Sequence, residues 1–227
     1  MTDPRRPAHY LSVGVIVLYW VGFAASRLVR PHHPPDGVTA IALNVCVRAA
    51  IVTSLVWMLM RASGESLRDL GFTRDGTGRF LLRVGGLAAG LFVVANVGLN
   101  NVFSTLLGTG QAPPIAALFR DPHEAPYWIF SAIVGGGFAE ELGRAFVLTR
   151  FEKLLGRSGL ILAFVLDSIV FGLGHLYQGN ASAVTSGFTG AILALIFLQR
   201  RRVIDAMAVH SLFDLMGIAT AYALYAR

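Results

Sequence analysis

The sequence predicts an all-α protein, a polytopic transmembrane helical bundle of about seven helices. Three observations carry that expectation. Of 227 residues, 55% are hydrophobic and only 14% are charged, against about 25% charged in an ordinary soluble domain. The mean hydropathy is +0.62. Seven apolar stretches approach the roughly 20 residues that a helix needs to cross a bilayer, and together they occupy about 140 residues. This composition excludes a disordered chain, a coiled coil and a typical soluble enzyme. Residues 1–227 therefore read as one integral-membrane domain.

The first stretch, residues 10–25, follows Arg5 and Arg6 and ends in Ala24, Ala25 and Ser26. It resembles a secretory signal peptide, but long spans follow it, so an uncleaved first helix is expected. The remaining spans are residues 38–60, 80–103, 127–148, 160–176, 182–198 and 203–225, of which the fifth and sixth are short. Turn-forming residues separate them: Pro31 to Pro35 around His32 and His33, Gly71 to Gly78, and Pro113 with Pro114. Gly86 with Gly90, and the run Gly135, Gly136 and Gly137, would allow close helix packing.

The net charge is +6, with a pI near 10.1. In a soluble protein that would raise nucleic acid as a partner. Here the arginines sit in short loops, so the expected partners are anionic lipid and a membrane-associated protein or peptide, with no nucleic acid. Arg61, Arg68, Arg74 and Arg79 lie after the second span, Arg150, Lys153 and Arg157 after the fourth, and Arg200 to Arg202 after the sixth. These loops alternate and share one side, which the positive-inside rule makes cytoplasmic. The N-terminus is then inside and the C-terminus outside, in the plasma membrane of a prokaryote, although Arg27 and Arg30 run against the rule. The single cysteine, Cys46, excludes an intrachain disulfide and a cysteine-based metal cluster.

An ionisable side chain at bilayer depth costs roughly 2.5–3.5 kcal/mol on insertion scales, so it usually has a partner and often a task. This chain has several: Arg48, Glu140, Glu141, Arg144, Asp167, His175, His210 and Asp214. Glu140 and Glu141 form an acidic patch, with Arg144 one turn on and able to pair with Glu140. Two close carboxylates resist ionising together, a setting for a general base. A buried Glu–Arg brace is the plainer reading. His175 follows Phe171 by one turn. Glu140 lies 17 residues before Arg157 and His175 lies 18 after it, so an antiparallel hairpin brings them to one depth. His210 and Asp214, at i and i+4, share a helix face. His210 reaches the same depth only if the hairpin extends beyond the membrane.

Weaker signals have plainer readings. The run Asp121, Pro122, His123 and Glu124 could supply metal ligands but reads as an exposed loop. His32 and His33 read as solvated. Asn96 and Asn100 look like interhelical hydrogen-bonding residues. Arg48 is expected to neutralise a carboxylate such as Asp167.

The order Glu-Glu then Arg, Phe-x-x-x-His, and His-x-x-x-Asp, each in an apolar helix, resembles the CPBP (Abi) family of intramembrane proteases. That family includes the type II CAAX prenyl endopeptidases and bacteriocin-immunity relatives. The resemblance covers residues 138–214, with residues 127–225 as its catalytic helices. It implies that Glu140 activates water beside Glu141, and that His175 and His210 are the histidines of the second and third motifs. Phe171 and Arg144 are supporting residues. Asp214 stands where the family more commonly has Asn, and Arg144 comes one residue earlier than the family's arginine.

The reading that follows is an intramembrane endopeptidase. Glu140 and His175 hold a water, Glu140 takes its proton, and His210 with Asp214 stabilises the oxyanion. No cofactor is demanded. A divalent metal such as zinc, held by Glu140, His175 and His210, stays open beside the glutamic mechanism, although no His-Glu-x-x-His motif is present. The rival readings are a transporter, a non-catalytic immunity-like protein using the same cavity, and a family member that has lost activity. A transporter would be expected to show internal repeats or paired broken helices, and neither is visible.

Overall fold

The computed structural model describes residues 6–29, 37–73, 76–108, 119 and 121–226, and every regular element among them is helical. The expectations for Arg5, Arg30, His32, His33, Arg74, Pro113 and Pro114 lie outside the described residues, as does the side chain of Arg27. Helix α1 is Arg6–Val29 and α2 is Val38–Ala62. Helix α3 (Thr77–Phe92) runs through a π-helical stretch, Val93–Leu99, into α4 (Asn100–Leu107). Helix α5 (Ala125–Phe130) runs through a second π-helical stretch, Ser131–Glu140, into α6 (Glu141–Gly174). Helices α7 (Asn180–Arg200) and α8 (Val203–Tyr225) complete the chain.

Six spans among the described residues are long and apolar enough to cross a membrane. One of them, Pro122–Gly174, has 53 residues. As a straight helix it would be about 80 Å long, far beyond a hydrocarbon core of about 30 Å. It cannot cross once. At Gly156 the backbone leaves the helix, with φ 64° and ψ −148°, a conformation that a side chain disfavours. Arg144 Nε then lies 3.0 Å from Asp167 Oδ2, although 23 residues of straight helix would hold them about 35 Å apart. The midpoint of that pair falls at Leu155 and Gly156. The span is therefore a hairpin, and the chain makes about seven passes, as its apolar stretches predict.

The hairpin departs from expectation in one respect. Residues 149–155, read as part of a basic loop, remain helical up to Gly156. Arg150 is consequently buried in this helix and pairs with Glu65. The remaining basic loops gather at the same end. Lys153 also pairs with Glu65, Arg201 holds Glu152 at 2.5 and 2.8 Å, and Arg202 Nε donates to the Thr73 carbonyl at 2.8 Å. Burial pushes the Glu65 carboxyl up, but Lys153 and Arg150 outweigh it and hold the group below the ordinary carboxylate range.

The core is apolar, with Leu142, Leu148, Leu193, Val203 and Val209 fully buried. The outer surface is apolar too: Leu18, Leu82 and Leu106 are 74%, 81% and 70% exposed. Water would oppose such a surface and lipid would not. Two packing expectations do not hold. Gly86 and Gly90 face open space, and Asn96 donates back to the Phe92 carbonyl of its own helix rather than across to another.

Candidate active site

The site grows out of the second π-helical stretch. Its bonds run to the fifth residue rather than the fourth, which widens the turn; such stretches are frequent at functional sites. Gly135, Gly136 and Gly137 lie on it and are buried. A Cβ on Gly135 would come within 3.3 Å of Arg48 Nη2. On Gly136 it would meet Asp214 Oδ2 and lie 3.3 Å from His210 Nε2, and on Gly137 it would meet Ser211 Oγ. Three missing side chains thus let α2 and α8 close on this wall.

The polar groups meet there. Arg48 Nη2 of α2 lies 2.7 Å from Glu140 Oε1. Glu141 Oε1 accepts from Arg144 Nη1 and, at 2.7 Å, from His210 Nδ1. Arg144 spans to Asp167 as well, and its guanidinium lies 4.5 Å from the Phe171 ring centre. His210 Nε2 is 3.6 Å from Asp214 Oδ2. The Phe171 ring touches both histidines, at 4.7 Å from the His175 ring and 6.0 Å from the His210 ring.

The hydrogen bonds fix tautomers. A backbone carbonyl only accepts, so His175 Nδ1, 2.8 Å from the Phe171 carbonyl, carries the proton. In the neutral ring His175 Nε2 is then an acceptor. The Glu141 carboxylate also accepts, so His210 donates to it through Nδ1.

Residues 122–216 match the family model Rce1-like, described as type II CAAX prenyl endopeptidase Rce1-like. This stretch is an Rce1-like domain. At family level the match supports a CAAX-type membrane endopeptidase, and the matched residues run from before Glu140 to just beyond Asp214. No curated protein and no solved structure matches the chain significantly.

The seven bilayer-depth ionisable residues singled out in the Rce1-like region, Glu140, Glu141, Arg144, Asp167, His175, His210 and Asp214, gather in this cluster with Phe171. One expected pairing is corrected. Arg144 braces Glu141 and Asp167, not Glu140. Positions three and four residues back are both within a helical arginine's reach, and Asp167 across the hairpin draws Arg144 to the Glu141 side. Arg48 neutralises a carboxylate as expected, and the one it meets is Glu140, since Arg144 already occupies Asp167. The two glutamates therefore do not compete within one undivided site; each has its own arginine. Arg48 lies outside the Rce1-like region, and its signal in the sequence was an intramembrane cation in need of an anion.

A zinc site at Glu140, His175 and His210 is not preformed. Among the described residues, no three His, Cys, Asp or Glu side chains are grouped to hold a metal ion. The run at Asp121 is a capped turn, in which Asp121 Oδ1 accepts from the His123 backbone at 2.9 Å.

Proposed function

We propose that the chain is an intramembrane endopeptidase in which Glu140 activates water and His175, His210 and Asp214 serve the same step. One observation carries the choice of base. Glu141 is spent: its side chain is 1% exposed, and one of its oxygens accepts from both Arg144 and His210. Glu140 keeps 19% of its side chain exposed, with one oxygen on Arg48. Only Glu140 can both meet a substrate and take a proton.

The chemistry follows from the donors and acceptors. A water beside Glu140 gives it one proton and directs its other hydrogen to His175 Nε2. The hydroxide attacks the scissile carbonyl and forms a tetrahedral oxyanion. His210 Nε2 can donate to that oxyanion when the ring is protonated on both nitrogens. Asp214, at 3.6 Å and beyond hydrogen-bond range, leaves room for the oxyanion to take that donor. Glu140 then returns its proton to the leaving amine. The loop end of the bundle is taken to be cytoplasmic, and the substrate a membrane-associated protein or peptide.

The test is Glu140→Gln in purified protein with a labelled membrane peptide. A base of this kind contributes about 10²–10⁴-fold, so turnover should fall by at least about 100-fold while the protein stays folded. Wild-type turnover in Glu140→Gln would overturn the proposal.

A further inference from the structure

The loop end of the bundle carries a cleft well away from the polar cluster. Its volume is about 260 Å³, and it shares Arg61, Glu65 and Ser66 with a neighbouring hollow of about 390 Å³. Trp57, Met60 and Leu67 make its apolar floor, and Arg61 and Arg68 stand at its wall.

The charges are unbalanced towards the opening. Both carboxylates nearby are committed: Glu65 to Arg150 and Lys153, and Asp69 to the Ser66 backbone N–H at 2.7 Å and the Ser66 hydroxyl at 3.1 Å. Arg61 and Arg68 are exposed, and no carboxylate among the described residues engages either guanidinium. Position narrows the chemistry of an anion that these arginines would take to one class. Trp57, 54% exposed, lies one turn before Arg61 near the end of the span Val38–Ala62, with Met58 beside it 50% exposed. Tryptophan at a helix end marks the membrane–water interface, and arginines at that level face phosphates. A cleft smaller than the roughly 300–1,000 Å³ of a drug-sized pocket admits a headgroup and leaves the tails outside.

We propose that this cleft binds the phosphate headgroup of an anionic membrane phospholipid. Arg61 and Arg68 hold the phosphate, and the acyl chains descend along Trp57 into the bilayer. A zwitterionic lipid brings its own cation against the two arginines and binds less well. Free phosphate shares the headgroup chemistry but gains nothing from the apolar floor.

The experiment uses the full chain in zwitterionic nanodiscs, titrated with dibrominated phosphatidylglycerol or dibrominated phosphatidylcholine. Bromine quenches a neighbouring tryptophan. The Trp57 signal is taken as the difference between wild type and Trp57→Phe. Each arginine should favour the anionic lipid about fivefold. The preference should reach roughly 25-fold in wild type, vanish in Arg61→Gln/Arg68→Gln, and resist excess inorganic phosphate. Equal quenching by the two lipids, full preference retained in the double variant, or displacement by inorganic phosphate would each overturn the proposal. Should the double variant fail to fold, each single variant is expected to lose about fivefold, and lipid adducts counted by native mass spectrometry on wild type decide between anionic and zwitterionic lipid.

Discussion

Gly136 is the place where one added methyl group interrogates the site. Its Cβ would fall inside contact distance of Asp214 Oδ2 and 3.3 Å from His210 Nε2. The two neighbours cannot yield equally. The His210 side chain is 5% exposed and is held at Nδ1 by Glu141 at 2.7 Å, whereas the Asp214 side chain is 30% exposed. In Gly136→Ala, Asp214 therefore swings away and His210 loses the carboxylate beside Nε2 while keeping Glu141 at Nδ1. Overpacking costs about 1–3 kcal/mol and a helical Gly→Ala returns about 1, a net loss of about 0–2 kcal/mol. For a chain of this size that is a Tm decrease of at most about 8 °C. A misplacement of about 1 Å in a catalytic group costs on the order of 100-fold in rate. The assay is peptide cleavage with Tm measured in the same detergent. Gly143→Ala is the control, because its Cβ would meet only Val52 Cγ1, at an ordinary 3.7 Å. The expected result is a fall of about 100-fold in kcat for Gly136→Ala and wild-type kcat for Gly143→Ala. Wild-type kcat in Gly136→Ala, or an equal loss in both variants, would mean that Asp214 and His210 do not act from this wall.

Arg48→Gln removes the cation that orients Glu140, and kcat should fall about 10- to 100-fold with little change in KM. Arg48→Lys should recover part of that loss, and no recovery would argue against a positioning role. Arg144→Met strands Glu141 and Asp167 without their shared arginine, at a cost of about 3–5 kcal/mol. Thermal unfolding should report a Tm fall of roughly 6–20 °C, and a drop under 3 °C would contradict the buried bridge. Glu65 gives a pH dependence whose sign is fixed. Its folded carboxyl lies below the ordinary value of 4.5 despite burial, because of Lys153 and Arg150. Its contribution to stability is therefore complete above that value and fades as pH falls through the folded one. The Tm advantage of wild type over Glu65→Gln should shrink between about pH 5 and pH 3, and an advantage unchanged at pH 3 would dismiss the assignment.

The sequence showed which residues enter the site but not how they pair, for a physical reason. Apolar length is a one-dimensional quantity, so the spans were legible, as was a fold-back near Arg157 from the near-equal arms to Glu140 and His175. Pairing depends on which helix faces which, and periodicity alone does not say. Glu140 and Glu141 are both within one turn of Arg144, and only the position of Asp167 across the hairpin selects Glu141. Arg48 could serve either Asp167 or Glu140, and only the closeness of α2 to Gly135 selects Glu140. The same blindness explains the glycines. Gly86 and Gly90 resemble Gly135 to Gly137 in sequence, yet only the latter meet neighbouring side chains. The π-helical stretch leading into Glu140 was equally hidden, because its hydrogen bonds change while its run of apolar residues does not. These unread details bear on the proposed reaction. Had Arg144 taken Glu140 and left Glu141 free, the base would sit on the buried side, at 1% exposure. With Arg48 on Glu140 and Arg144 on Glu141, the acid that retains access is the one beside the glycine wall where α8 brings His210 and Asp214.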